Sequence, residues 1–206
     1  STFVGGESQD WGSALEIDDA GRATVTGMTN STNFPTTAGA FDASYNGNSD
    51  IYIAQLSADG SALSYSTYLG GSSSDWCEAI TIDSAGRATL TGWTGSSDFP
   101  TTPGAFDPSH NGAGDVFVVR LDTAGSGLTY ATFLGGGDWE GANAIAVDGT
   151  NNVYVTGNTN SGNFPTTAGV FDPSYNGAGD SFVVKLNATG SSLLFATFLG
   201  GHNSDR

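Results

Sequence analysis

Gly5, Gly70, Gly135 and Gly200 are separated by identical steps of 65 residues, with no insertion or deletion between them. The same step relates Asp18, Asp83 and Asp148; Gly27, Gly92 and Gly157; Phe34, Phe99 and Phe164; and Asp50, Asp115 and Asp180. Self-similarity at a fixed period marks a repeat architecture. The fold is therefore set by what one 65-residue unit makes.

Each unit reads as four short strands. In the second copy EAITID and RATLTGWT form the first two, joined by the tight turn Asp83-Ser-Ala-Gly86, where Asp caps the turn and Gly takes a positive φ. The third copy has Asn151 at the glycine position, and Asn is the next residue to tolerate that conformation. A long loop containing FPTT leads to a third strand, DIYIAQL, DVFVVRL or DSFVVKL, whose aromatics Tyr52, Phe117 and Phe182 are candidate core residues. A Gly-bearing turn then enters the fourth strand, LSYSTYLGG, LTYATFLGG or LLFATFLGG. Composition agrees: 31 glycines and only 13% charged residues favour strands and turns over helices. Four antiparallel strands per repeat make one propeller blade, so the fold class is all-β.

The combination of ITIDSAGRATLTGWT, FPTTPGAFD, GDVFVVRL and YATFLGG resembles the bacterial and archaeal SBBP (seven-bladed beta-propeller) repeat family. The resemblance runs through nearly the whole chain in three copies. It implies a secreted or surface-exposed propeller region, and it brings no catalytic residues to transfer.

In this division residues 10–74, 75–139 and 140–206 are three blades, and residues 1–9 are an orphan strand from a preceding or partner blade. STFVGG at the start matches the ends of the fourth strands, YSTYLGG and YATFLGG. Closed propellers have about four to eight blades, so three leave open edges. Two readings follow: a piece of a longer propeller, or copies that associate end to end or exchange strands into a ring or filament.

Five basic residues against 21 acidic ones, a net charge of −16, repel nucleic acid and anionic lipid. No apolar run approaches the length of a membrane span. The single Cys77 excludes an intramolecular disulfide. Asn30-Ser-Thr and Asn187-Ala-Thr match glycosylation sequons, which carry little weight in so Ser/Thr-rich a chain.

The candidate site is the stretch FDPSYNGAGD, with its counterparts FDPSHNGAGD and FDASYNGNSD. Its pattern, D-x-S-x-N-G-x-x-D, places oxygen-bearing side chains at alternate positions around a glycine bend. Such side chains are hard ligands suited to calcium. The candidate ligands are Asp42, Ser44, Asn46, Asn48 and Asp50; Asp107, Ser109, Asn111 and Asp115; and Asp172, Ser174, Asn176 and Asp180. The pattern resembles the loops of EF-hands and integrin-type propellers, with Ser at the third position and Val183 in place of the bidentate Glu. Affinity is then weak, in the range of about 0.1 to 1 mM. The competing reading makes Asp172 and Asn176 the anchors of Asx turns that need no metal.

A second acidic row, Asp10, Asp75, Glu140 and Asp205, reads as solvated turn residues, with Trp11 and Trp76 beside it as packing between blades. His110 and His202 have no counterparts in other copies and read as loop residues; Cys77 reads as a small buried residue. No nucleophile, phosphate loop or metal-ligand set assembles, so the chain is expected not to be an enzyme. The expected role is an extracellular or cell-surface structural and interaction module. Its expected partners are other subunits or further blades of the same chain. A glycan-binding propeller and a fragment of a larger secreted propeller enzyme remain the alternatives.

Overall fold

The computed structural model describes residues 2–203, which form twelve strands and no helix. Blade 1 is β1 (Asp10–Ile17), β2 (Ala23–Thr29), β3 (Asp50–Leu56) and β4 (Leu63–Leu69). Blade 2 is β5 (Asp75–Ile82), β6 (Ala88–Thr94), β7 (Asp115–Leu121) and β8 (Leu128–Leu134). Blade 3 is β9 (Glu140–Val147), β10 (Val153–Thr159), β11 (Asp180–Leu186) and β12 (Leu193–Leu199). Each blade is an antiparallel meander whose strands lie in chain order. The first strands β1, β5 and β9 pack side by side and form the inner row of the array.

Turn chemistry fixes the hairpins. Asp18 Oδ1 accepts the backbone N–H groups of Ala20 and Arg22, and Asp83 and Asp148 repeat the arrangement. Gly21 and Gly86 have φ of 76° and 81°, and Asn151 takes the same left-handed conformation at 64°, as the sequence leads one to expect. The first two strands of each blade carry a bulge, at Gly12/Ala14, Cys77/Ala79 and Thr156/Gly157. The bulge drives the backbone onto Gly27, Gly92 and Gly157: a β-carbon there would fall 1.8, 1.9 and 2.1 Å from the facing carbonyl oxygen. This close approach explains why those glycines recur in each copy.

Alternation along each strand sends one set of side chains to the front face, toward the preceding blade, and the other to the back. Phe34, Phe99 and Phe164 from the FPTT loops stack on the third-strand aromatics Tyr52, Phe117 and Phe182, with ring centroids 4.4, 4.9 and 4.6 Å apart. The back of blade 1 (Ile51, Ile53, Tyr65, Leu69) and the front of blade 2 (Cys77, Ile80, Leu90, Phe99, Phe117) merge into one core. The back of blade 2 (Val116, Val118, Tyr130, Leu134) merges likewise with the front of blade 3 (Val153, Val155, Phe164, Phe182). Consequently β7, covered on both sides, is buried at each of its seven positions, whereas β11 alternates between buried and half-buried.

Residues 2–6 form no strand, contrary to the expectation of an orphan strand there. A strand needs a ladder partner. The matching segment of blade 1 ladders with β3, but no third strand stands beside residues 2–6 among the described residues.

Candidate functional site at the blade junctions

The three repeated loops take one conformation. Asp42 Oδ1 accepts the N–H of Ser44 at 2.8 Å, Asp42 Oδ2 accepts the side-chain amide of Asn46 at 2.5 Å, and Asp50 Oδ2 accepts the backbone N–H of Asn46 at 2.8 Å. Asp107, Ser109, Asn111 and Asp115 repeat these bonds, as do Asp172, Ser174, Asn176 and Asp180. The structure thus brings the first, fifth and ninth positions together. It leaves the exposed Ser44, Ser109 and Ser174 supplying backbone N–H groups, while the backbone N–H of Asn48 donates to Ser73 O in the connection that leads to β5. The Asp and Asn of each loop are engaged as Asx-turn anchors.

The second acidic row departs from expectation. Asp75 and Glu140 are fully buried instead of solvated, because each opens the first strand of a blade and ties down the chain end of the preceding one. Asp75 Oδ2 accepts the N–H of Gly71 at 2.8 Å and the Ser96 hydroxyl at 2.9 Å, while Oδ1 accepts the Thr94 hydroxyl. Glu140 accepts from Gly136 N–H and Thr159, and Asp10 from Gly6 N–H, Thr29 and Ser31. Asp205 lies outside the described residues. A sequence signal for this site existed: Thr29, Thr94 and Thr159, and Ser31, Ser96 and Ser161, keep the 65-residue step.

The two acidic rows meet at each junction. The backbone N–H of Asp75 donates to Ser49 O at 3.0 Å, and that of Glu140 to Gly114 O at 2.8 Å, which sets the acid of one blade's third strand beside that of the next blade's first. Both face a glycine: a β-carbon on Gly70 would fall 2.7 Å from Asp50 Oδ1 and 2.9 Å from Asp75 Oδ2. On Gly135 it would fall 2.5 Å from Asp115 Oδ1 and 2.9 Å from Glu140 Oε2. Burial pushes the Asp50 carboxyl up to about 6, the Asp75 and Asp42 charges add to this, and bonds from Asn46 and Gly47 offset part of it. Burial likewise pushes Asp115 up to about 6, with Glu140 and Asp107 adding and the Asn111 bond and His110 opposing. Burial raises Asp75 as well.

Other expected site residues fall as follows. Cys77 is fully buried and its thiol is pushed up to about 12 by that burial, so it packs as a small core residue. His110 is half-buried instead of freely exposed, with Nε2 3.3 Å from Thr94 O and its ring edge-on to Phe133. Trp11 is 43% exposed on the uncovered front of blade 1, whereas Trp139 folds over Gly141, which would hold a tryptophan by register. At the opposite end of the junction, Arg120 is buried on the back of blade 2 and donates to Thr89, to Ala188 O and to Asn151 O, clasping blade 3.

Comparison with known families agrees with this architecture. The SBBP beta-propeller repeat model matches residues 64–100 and 142–165. A beta-propeller domain of unknown function, DUF5122, matches residues 36–62 and 166–192. Both models describe beta-propeller repeats, in agreement with the three antiparallel four-stranded sheets. No curated protein matches it.

Proposed function

We propose that this chain is an extracellular or cell-surface assembly module, which joins further blades of its own kind through its two uncovered blade faces and is stiffened by calcium. One observation carries the reading. Residues 2–6 reproduce half of an internal junction: Gly6 N–H donates to Asp10 at 2.8 Å, as Gly71 does to Asp75, and Val4 packs on the front core of blade 1 beside Phe34 and Tyr52. Phe3, by register the counterpart of the buried Tyr68, Phe133 and Phe198, is fully exposed.

The exposed apolar side chains are concentrated on these faces. Leu15 and Ile17 on the front of blade 1 are 55% and 58% exposed, and Leu199 on the back of blade 3 is 42% exposed, while its counterparts Leu69 and Leu134 are buried. Residues 2–6 read TFVGG and residues 197–201 read TFLGG, so the opening segment of one copy suits the place beside β11 that the end of β12 holds in another, and enters it by displacing that end. Exchange of this kind joins copies head to tail into a ring or filament. The excess of acidic residues suits surroundings in which calcium is present at about millimolar levels. Sedimentation velocity of the purified chain over a range of concentrations tests the reading. Association that Phe3→Asp with Leu15→Asp abolishes is the expected result, and a monomer at all concentrations sinks it.

A further inference from the structure

Asp50 is completely buried, yet its Oδ1 has no hydrogen-bond donor. The same is true of Asp115 Oδ1 and Asp180 Oδ1. An unpaired buried carboxylate oxygen is costly, and its recurrence at one position of each repeat makes it a property of the repeat. Each orphan oxygen is aimed at the glycine cradle where, in two junctions, a second carboxylate converges. The oxygens of Asp75 and Glu140, by contrast, accept N–H and O–H donors.

The described lysine and arginine side chains offer no compensation. Arg22, Arg87 and Lys185 pair with Asp18, Asp83 and Asp148, and Arg120 bonds Thr89. In the strand register these partners lie at the far ends of the strands from Asp50, Asp115 and Asp180, which pair opposite Thr29, Thr94 and Thr159. These arginines and the lysine thus stand at the other end of each junction, three of them on acidic partners of their own. Two buried carboxylates facing one another without a lysine or arginine between them, and with only His110 near the second pair, call for a cation from solution.

We propose that each blade junction binds a hard divalent cation of the calcium type between two carboxylates, Asp50 with Asp75 and Asp115 with Glu140. The donors are oxygens only, as such a cation requires, and water completes the coordination. Among the described residues no group of three or more acidic, histidine or cysteine side chains gathers around a metal position, so each site has two charged ligands and binds weakly, with Kd on the order of 1 mM. The cation would cement neighbouring blades within the chain. This site shares Asp50 or Asp115 with the repeated loop but not Asp42 and Asn46, which satisfy each other, and it does not depend on whether copies associate.

The test is a calcium titration of the whole chain, read by thermal melting and by calorimetry, beside two triple variants. Asp50→Asn/Asp115→Asn/Asp180→Asn keeps side-chain shape and presents an N–H to the second carboxylate. Asp42→Asn/Asp107→Asn/Asp172→Asn alters the loops. In the wild type, 10 mM calcium chloride is expected to raise Tm by about 5 °C, with calorimetry resolving the two junction sites. The loop variant is expected to keep the rise. The junction variant is expected to lose it while melting, without calcium, no lower than the wild type, which shows that it folds. Absence of both heat and Tm shift in the wild type overturns the proposal, as does a rise lost in the loop variant and kept in the junction variant.

Discussion

Tyr130 on the back of blade 2 lies against Gly190 in the last turn of blade 3, so closely that a β-carbon on Gly190 would fall 2.3 Å from Cδ2 of the ring. Tyr65 meets Gly125 at the same distance one blade earlier. The contact seats the fourth strand of one blade on the turn of the next. Gly190→Ala meets both this overlap and a φ of 66°, and a loss of about 2 to 4 kcal/mol in urea unfolding is expected. Gly39→Ala, at φ 82° with no atom within 4 Å, is the control and is expected to cost about 1 to 2 kcal/mol.

Arg120 spans the same junction with three donors and lies over the Tyr130 ring, 5.1 Å from its centroid. Gln55 occupies the matching position in blade 1 and bonds Thr24 as Arg120 bonds Thr89. Arg120→Ala is expected to cost about 2 to 4 kcal/mol, since it removes both a buried side chain and the donors to two carbonyls. Arg120→Gln is expected to cost less, because the bond to Thr89 survives. Paired denaturant melts check the order.

Cys77 reports on the opening of the first junction. It is fully buried within the shared core, and its raised thiol remains protonated at neutral pH. Labelling by a thiol reagent is expected to be slow in the native state and to accelerate with denaturant in step with loss of strand signal. Rapid labelling without unfolding contradicts the core described above.

Acid-base behaviour follows from two opposed sets of carboxylates. Asp50 and Asp115, raised to about 6, contribute stability that is full below their unfolded value and lost as pH rises through about 6. Asp83 behaves in reverse: burial alone would raise it, but bonds and charge from Arg87 hold it low, so its contribution is lost as pH falls below the ordinary range. In chelator-treated protein Tm is expected to be highest near about pH 4, to fall as pH rises toward about 6 and to fall again in more acid solution. Asp50→Asn with Asp115→Asn is expected to flatten the alkaline limb.

The blade repeat was legible in the sequence because hairpin turns and alternating strands are local signals, carried by residues such as Asp83, Gly86 and Phe117. The pairing of Asp50 with Asp75 was not. Those residues stand 25 positions apart and belong to different blades, and their burial arises only when the blades stack. Asp75 alone, among Ser and Gly residues, has the composition of a solvated turn; what buries it is the register of Thr94 and Ser96. The opening segment misled in the other direction, since TFVGG has the sequence of a strand but no ladder partner among the described residues.

On the proposed function, the uncovered blade faces are joining surfaces. Sedimentation velocity from micromolar to near-millimolar protein tests it most directly, comparing the wild type with Phe3→Asp/Leu15→Asp. The expected result is a concentration-dependent series of larger species in the wild type and a folded monomer in the variant. A wild type that sediments as a monomer throughout, with the same profile as the variant, would contradict it.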